Sequence, residues 1–304
     1  MTQKINPHSI EIFETLSSVS GVLDPEASEA IGSYIRGQLC PDGGFADRNG
    51  DSDLYYTMFG LSCAVALKLK LPDVRIDSFL ECFQTGTLDL PHLNCLIKSR
   101  AALSLLRNPV LVSALGRFSA LRKLNIDSST KAAVKHLLDN DSVDNTAYNR
   151  FLLLNAAQDC GLKFPGGSET LRQLELSRQP GGGFSNRPDV KAPALNATVA
   201  AILLKRQLSG ENDAPALTWL SGQAASSGGF KATPETPLPD LMSTATALFT
   251  LKICGMLTDE NRRLSRGFIL DHWQECGGFS GNIVENHCDC EYTFYGLLAM
   301  GAIA

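Results

Sequence analysis

His287, Cys288, Asp289, Cys290 and Glu291 stand in a row within "ECGGFSGNIVENHCDCEYTFYGLLAM". Residues of these types support three kinds of chemistry. His287, Cys288 and Cys290 are nitrogen and sulfur donors of the kind that hold a metal, with Asp240 as a further donor. Cysteines two apart diverge on a helix, however, and no second ligand pair has zinc-finger spacing. Glu291, with Asp289 beside it, suits a general acid wherever burial desolvates the carboxyl and raises its pKa. A helix N-terminus opposes this by favouring the carboxylate. The third role is structural, with Asp289 and Glu291 capping a helix. Asp53 in "DSDLYYT" and Asp240 in "LPDLMST" occupy equivalent places, which favours a shared structural task.

Other residues have binding chemistry. Arg100 and Arg150 fall within apolar, helix-like segments, where an unpaired charge is expensive, so they either pair with acids or line a wet cavity. Tyr55, Tyr56, Tyr148, Tyr292, Phe59 and Phe294 offer aromatic faces for an apolar or cationic ligand, although aromatics at helical spacing also serve as plain core. Arg48, Arg187, Lys191 and Lys231 lie in polar loops; gathered on one rim they would form an anion site, and scattered they are solvated charge. No glycine-rich nucleotide loop or nucleophile elbow is present.

The elements that must position these residues repeat. "QLCPDGGF", "QPGGGF", "QAASSGGF" and "QECGGF" each place Gln at the end of a helix-like stretch, then Gly-Gly-Phe, a polar loop and an apolar helix. The first glycines fall at 43, 182, 228 and 277, so the later steps are 46 and 49 residues, and the first gap of 139 holds about three steps. Two degenerate units are therefore expected between 45 and 178. Such a period marks an array of supersecondary units. The helix before each loop is amphipathic and the one after it nearly all apolar, so one faces solvent and the other is buried. Inner helices are expected near 54–69, 93–106, 145–158, 193–207, 241–255 and 290–302. The pattern fits a closed double ring or an open solenoid.

The 304 residues are 44% hydrophobic and 19% charged, with net charge −5, enough for a large core and without the basic stripe of a nucleic-acid binder. "MTQKINPHSIEIFETL" lacks the apolar core of a signal peptide, and no apolar run is long enough to span a bilayer. The nine cysteines are expected to be reduced thiols and the location cytoplasmic.

The Gln…Gly-Gly-Phe loops resemble those of the protein prenyltransferase β-subunit and terpenoid cyclase superfamily. The closest likeness is to the Rab geranylgeranyltransferase β subunit, strongest over 223–301, including the Leu-Pro-Asp ahead of an inner helix. The resemblance implies an all-α fold, a single α/α toroid over 1–304 with an apolar central cavity. It implies a polyprenyl diphosphate or other isoprenoid lipid as ligand, and an α-subunit-like protein partner. In that family a catalytic zinc is held by Asp, Cys and His. Carried over, these fall on Asp240, Met242 and Tyr292, so two of three ligands are lost, and "ATPETPLPD" offers no basic residue for a diphosphate. Zinc is therefore not expected, and Mg²⁺ would enter only with a diphosphate substrate. Class II terpenoid cyclases carry Asp-x-Asp-Asp-Thr, whose middle Asp protonates an alkene or epoxide. "DCEYT" sets Asp289 first, Glu291 at the middle and Thr293 last. The expected function is isoprenoid handling, as a zinc-independent terpene cyclase started by Glu291 and Asp289, with Asp53, Tyr56, Arg100, Arg150, Asp240 and Tyr292 binding substrate. The alternatives are a non-catalytic toroid that binds a lipid or protein, and a prenyltransferase β-like subunit with a rebuilt metal site.

Overall fold

The computed structural model describes residues 5–72, 75–107, 126–140, 143–285 and 287–304. Among the described residues, helix α1 (His8–Ser18) comes first, followed by six outer–inner helix pairs. The pairs are α2 (Pro25–Gly37) with α3 (Leu54–Leu67), α4 (Ile76–Glu81) with α5 (Leu90–Arg107), and α6 (Ser128–Asn140) with α7 (Ala147–Asp159). Then come α8 (Gly167–Glu175) with α9 (Leu195–Ser209), α10 (Ala214–Ser221) with α11 (Leu241–Ile253), and α12 (Asp259–Asp271) with α13 (Cys290–Ile303). The second and third pairs are the two degenerate units.

Each inner helix packs on the next, and α13 packs on α3, so the ring closes. This decides between ring and solenoid, which periodicity alone left open. The inner helices are apolar on nearly every side because they meet two ring neighbours, an outer helix and the centre. Helix α1 touches α3, α7, α11 and α13 and so lies across one end of the ring. Arg206 of α9 holds it there through Nη1 bonds of 2.8 and 3.0 Å to Glu11.

One local device recurs at the opposite end. The first glycine of each Gly-Gly-Phe has positive φ, 100° at Gly43, 102° at Gly182, 95° at Gly228 and 91° at Gly277. A Cβ at Gly228 would lie 2.1 Å from the Leu264 carbonyl of the next outer helix, and one at Gly277 would lie 2.4 Å from the Ala30 carbonyl of α2. The glycines thus let each loop dock on the following hairpin, and Gly277 makes that contact across the closure. The phenylalanines Phe45, Phe184, Phe230 and Phe279 are almost wholly buried. Their N–H groups donate to Thr57, Thr198, Thr244 and Thr293 at 2.8, 2.9, 2.9 and 3.2 Å. Phe45 and Phe279 belong to two-residue strands paired with Ser52–Asp53 and Cys288–Asp289. The nine cysteines are free thiols, and among the described residues no helix is long and apolar enough to cross a membrane.

Candidate functional site

The inner helices start at the loop rim, and successive turns of them form the wall of a central cavity of about 300 Å³. Tyr55, Pro91, Tyr148, Leu195 and Met242 ring its mouth. A turn deeper lie Phe59, Cys95, Phe151, Val199, Thr246 and Phe294, and below them Ser62, Lys98, Asn155, Leu203, Phe249 and Leu298. Seven residues separate the first and last layers on α3 and α7, roughly 11 Å of helix rise. Helix α1 forms the floor with His8, Ser9, Ile12 and Phe13. The mouth is open: Tyr148 is 46% and Met242 36% exposed.

Glu291 lies one turn above Tyr295, at the start of α13. Its Oε1 accepts a 2.7 Å bond from the hydroxyl of Tyr55, a cavity-lining residue. Burial raises its pKa above the ordinary 4.5, and the Asp289 charge adds to this, while the Tyr55 bond and Arg48 pull it back. The hydroxyls of Tyr148 and Tyr295 lie within its electrostatic reach, and both are held protonated, chiefly by burial. Glu291 is not itself among the residues that line the cavity; it stands behind Tyr55, whose hydroxyl reaches it from the wall, and burial shifts its carboxyl toward the protonated form that a general acid uses.

Asp289 is almost fully buried, and both its oxygens are committed. Oδ1 accepts the Tyr292 N–H at 2.8 Å as the α13 cap, and Oδ2 accepts Arg48 Nε at 3.0 Å. Asp53 caps α3 by accepting the Tyr56 N–H at 3.0 Å, and Asp240 caps α11 by accepting the Ser243 N–H at 2.7 Å. The shared structural task of the three aspartates is thus visible in the hydrogen bonds, and Glu291 stands apart from it. Thr293 belongs to the same structural set, because threonines in three other repeats make its bond as well. Its match to the last position of a cyclase motif therefore has a purely structural explanation.

Asp289, Glu291, Tyr56 and Tyr292 come together around Arg48 at the seam between the first and last hairpins. The Arg48 guanidinium lies 5.4 Å from the Tyr292 ring centre and donates a second bond of 3.0 Å to Glu285. Arg48 is thus an ion-pair partner rather than part of a rim anion site. Arg187 pairs with Asp189 at 3.0 Å, and Lys191 donates to the Pro188 carbonyl at 3.2 Å. Arg100 turns outward to Asp127 and donates to Thr130 at 2.9 Å. Arg150 donates to Asn145 at 2.9 Å and lines a separate outer depression beside Phe164 and Glu169. Neither arginine is among the residues that line the central cavity.

At the positions matched to zinc ligands, Asp240 spends both oxygens on Ser243. Met242 presents a thioether at the cavity mouth, and Tyr292 keeps its phenol proton, chiefly through burial. This donor set does not fit Zn²⁺. Among the described residues no three His, Cys, Asp or Glu side chains converge to hold a metal.

The floor is the part that motif reading missed. His8, Ser9, Asn94, Lys98 and Asn155 belong to no recognisable motif. The available signal was the spacing of Ile10, Phe13 and Leu16, which marks α1 as a packed helix, together with polar side chains on otherwise apolar inner helices.

No curated protein matches this chain. Among solved structures, a type II terpene cyclase, MstE, from Scytonema is 11% identical over 95% of this chain and 97% of its own, with a TM-score of 0.51. A glycosidase in complex with glucose is 11% identical over 92% of this chain and 97% of its own, with a TM-score of 0.52. At these identities the likeness is one of fold. Residues 10–105 and 194–300 match the family described as the prenyltransferase alpha-alpha toroid domain, and with two thirds of its length in that match, on a ring of six closed helix pairs, the chain belongs to this family.

Proposed function

We propose that this protein holds an isoprenoid in its central cavity and begins a cyclisation by protonation from Glu291. The observation that carries the proposal is the partly buried Glu291 carboxyl bonded to Tyr55 of the cavity wall, with burial raising its pKa. In the proposed step the Glu291 proton passes to the less substituted carbon of a trisubstituted alkene. The π pair forms the new C–H bond and leaves a tertiary cation. A second alkene of the chain attacks it and closes a ring. Loss of a proton from the last cation ends the reaction, which is an isomerisation overall, and the Glu291 carboxylate regains a proton from water at the open mouth. The faces of Phe59, Phe294 and Tyr295 are suited to shield such a cation. Asp289, fixed by Arg48, is a positioning residue whose charge helps keep the acid protonated.

The lining supports an isoprenoid over a sugar, since mostly aromatic and aliphatic walls offer a sugar's hydroxyls few partners. The volume is at the lower end of small-molecule pockets, roughly 300–1,000 Å³, which favours a short chain. The resemblance of 223–301 to the Rab geranylgeranyltransferase β subunit also supports a prenyl ligand. A second reading, binding of a lipid or a protein without turnover, is supported by Leu238, Ile283 and Val284, which expose apolar surface on the rim loops.

The test is Glu291→Gln. Wild type and variant are incubated with farnesyl and geranylgeranyl diphosphates and with the matching alcohols, and the extracts are analysed by gas chromatography. General-acid catalysis contributes roughly 10²–10⁴-fold, so product formation should fall by at least about 100-fold with ligand affinity retained. Undiminished turnover would remove the protonation step. Binding without product in the wild type would leave the carrier reading.

A further inference from the structure

The cavity floor contains polar atoms without partners. Asn94 Oδ1, Asn155 Oδ1 and His8 Nδ1 are buried and make no hydrogen bond, and all three residues line the cavity. They are 3%, 2% and 5% exposed. Native folds rarely leave such atoms unpaired without a reason. Asn94 donates its amide to the Leu90 carbonyl at 3.0 Å, which fixes the amide and leaves the oxygen as the free end.

One turn further along the same two helices, Lys98 and Asp159 are tied together through α1. Lys98 Nζ donates to Ser9 Oγ at 2.7 Å, and Ser9 Oγ donates to Asp159 Oδ2 at 2.8 Å. These charges bear on what the floor accepts. Lys98 disfavours a cation. Two unpaired amide oxygens disfavour an anion, and the Lys98 charge is balanced by Asp159 at 3.5 Å. His8 stays neutral because burial, with Lys98 and Arg206 close by, lowers its pKa well below the usual range. A neutral group that donates a hydrogen bond is what remains.

We propose that Asn94, Asn155 and His8 form a hydroxyl-binding subsite, so that the ligand is an isoprenoid alcohol or phenol inserted hydroxyl first. The inference rests on the reading of the cavity as an isoprenoid site. The Asn94 oxygen is held free by the Leu90 bond, and the soft terminal torsion of Asn155 lets its oxygen turn to the ligand. A chain held this way carries its far alkene toward the mouth, where Glu291 stands. The charged diphosphate of a prenyl diphosphate has no such place at the floor.

The test measures dissociation constants by calorimetry for farnesol, its deoxy analogue and farnesylamine, on wild type, Asn94→Leu and Asn155→Leu. The expected result is that each variant lowers the preference for farnesol over the deoxy analogue by about three- to tenfold, one hydrogen bond's worth. Affinity for the deoxy analogue should hold or improve. Both variants should melt at or above the wild-type temperature, and if one fails to fold the other carries the test. An unchanged preference in the folded variants, with the deoxy analogue bound, would show that the floor holds ordered water only and would overturn the subsite alone. Farnesylamine binding tighter than farnesol would overturn the neutral-group assignment. Binding of none of the three probes would overturn the isoprenoid reading and the subsite with it.

Discussion

Replacing Thr293 by valine separates a structural from a chemical role for the residue that completes the cyclase-like "DCEYT". Its Oγ1 accepts the Phe279 N–H at 3.2 Å and donates to the Asp289 carbonyl at 2.7 Å. Valine keeps the shape and removes both bonds. The Asp289 carbonyl belongs to the helix start and has other donors nearby, whereas the buried Phe279 N–H is left unpaired, at a cost of roughly 1–3 kcal/mol. By the usual size scaling, 2 kcal/mol in a chain of this length lowers the melting point by about 3 °C. Thr57, Thr198 and Thr244 make the same bonds and are equally buried. The four valine variants should therefore lose similar stability in urea unfolding. A Thr293→Val variant as stable as wild type, beside three destabilised ones, would refute the reasoning. So would one that abolished turnover with no loss of stability.

The seam should show as energetic coupling: a double-mutant cycle of Arg48→Met with Asp289→Asn should give about 1–2 kcal/mol, taken low because Arg48 is 38% exposed, and additive effects would contradict the pairing. Gly228→Ala should destabilise by at least about 2 kcal/mol, because its φ is 95° and the new Cβ meets the Leu264 carbonyl; denaturant midpoints check it. Arg206→Met strands the buried Glu11 carboxylate and should cost about 3 kcal/mol, with hydrogen exchange rising first in α1; uniform protection in α1 would count against its anchoring. For pH, the native state binds the Glu291 proton more tightly than the unfolded chain does, so this group's contribution is full below pH 4.5 and is lost as pH rises through the folded pKa. Glu291→Gln should therefore gain stability relative to wild type as pH increases above 4.5, and a constant difference in melting temperature across pH 4–8 would contradict the raised pKa.

The six inner helices were legible because a helix buried on most sides must be apolar on most sides. The expected spans, such as 54–69 and 241–255, match Leu54–Leu67 and Leu241–Ile253 to within two residues. Closure was legible only through the family resemblance, since the contact of α13 with α3 leaves no periodic trace. At the site, the equivalence of Asp53, Asp240 and Asp289 pointed to capping, which the hydrogen bonds bear out. Arg48 read as surface charge because its partner lies 241 positions away. Arg100 and Arg150, expected either to pair with acids or to line a wet cavity, turn toward Asp127 and Asn145, a choice that depends on neighbours far from them or across a loop and leaves no trace in helical spacing. The floor was invisible because α1 is brought beneath the ring by long-range packing and pairing, Arg206 with Glu11 and Lys98 and Asp159 with Ser9.

The most direct test of the central claim is the mass of the product formed in D₂O. The purified protein is incubated with farnesol and the farnesyl and geranylgeranyl diphosphates in deuterated buffer, and each extracted product is compared with its counterpart from H₂O. Protonation through Glu291, which exchanges with solvent at the mouth, predicts a cyclised product heavier by one deuterium, with none formed by Glu291→Gln. An unlabelled product, or a labelled one made equally well by Glu291→Gln, would contradict it.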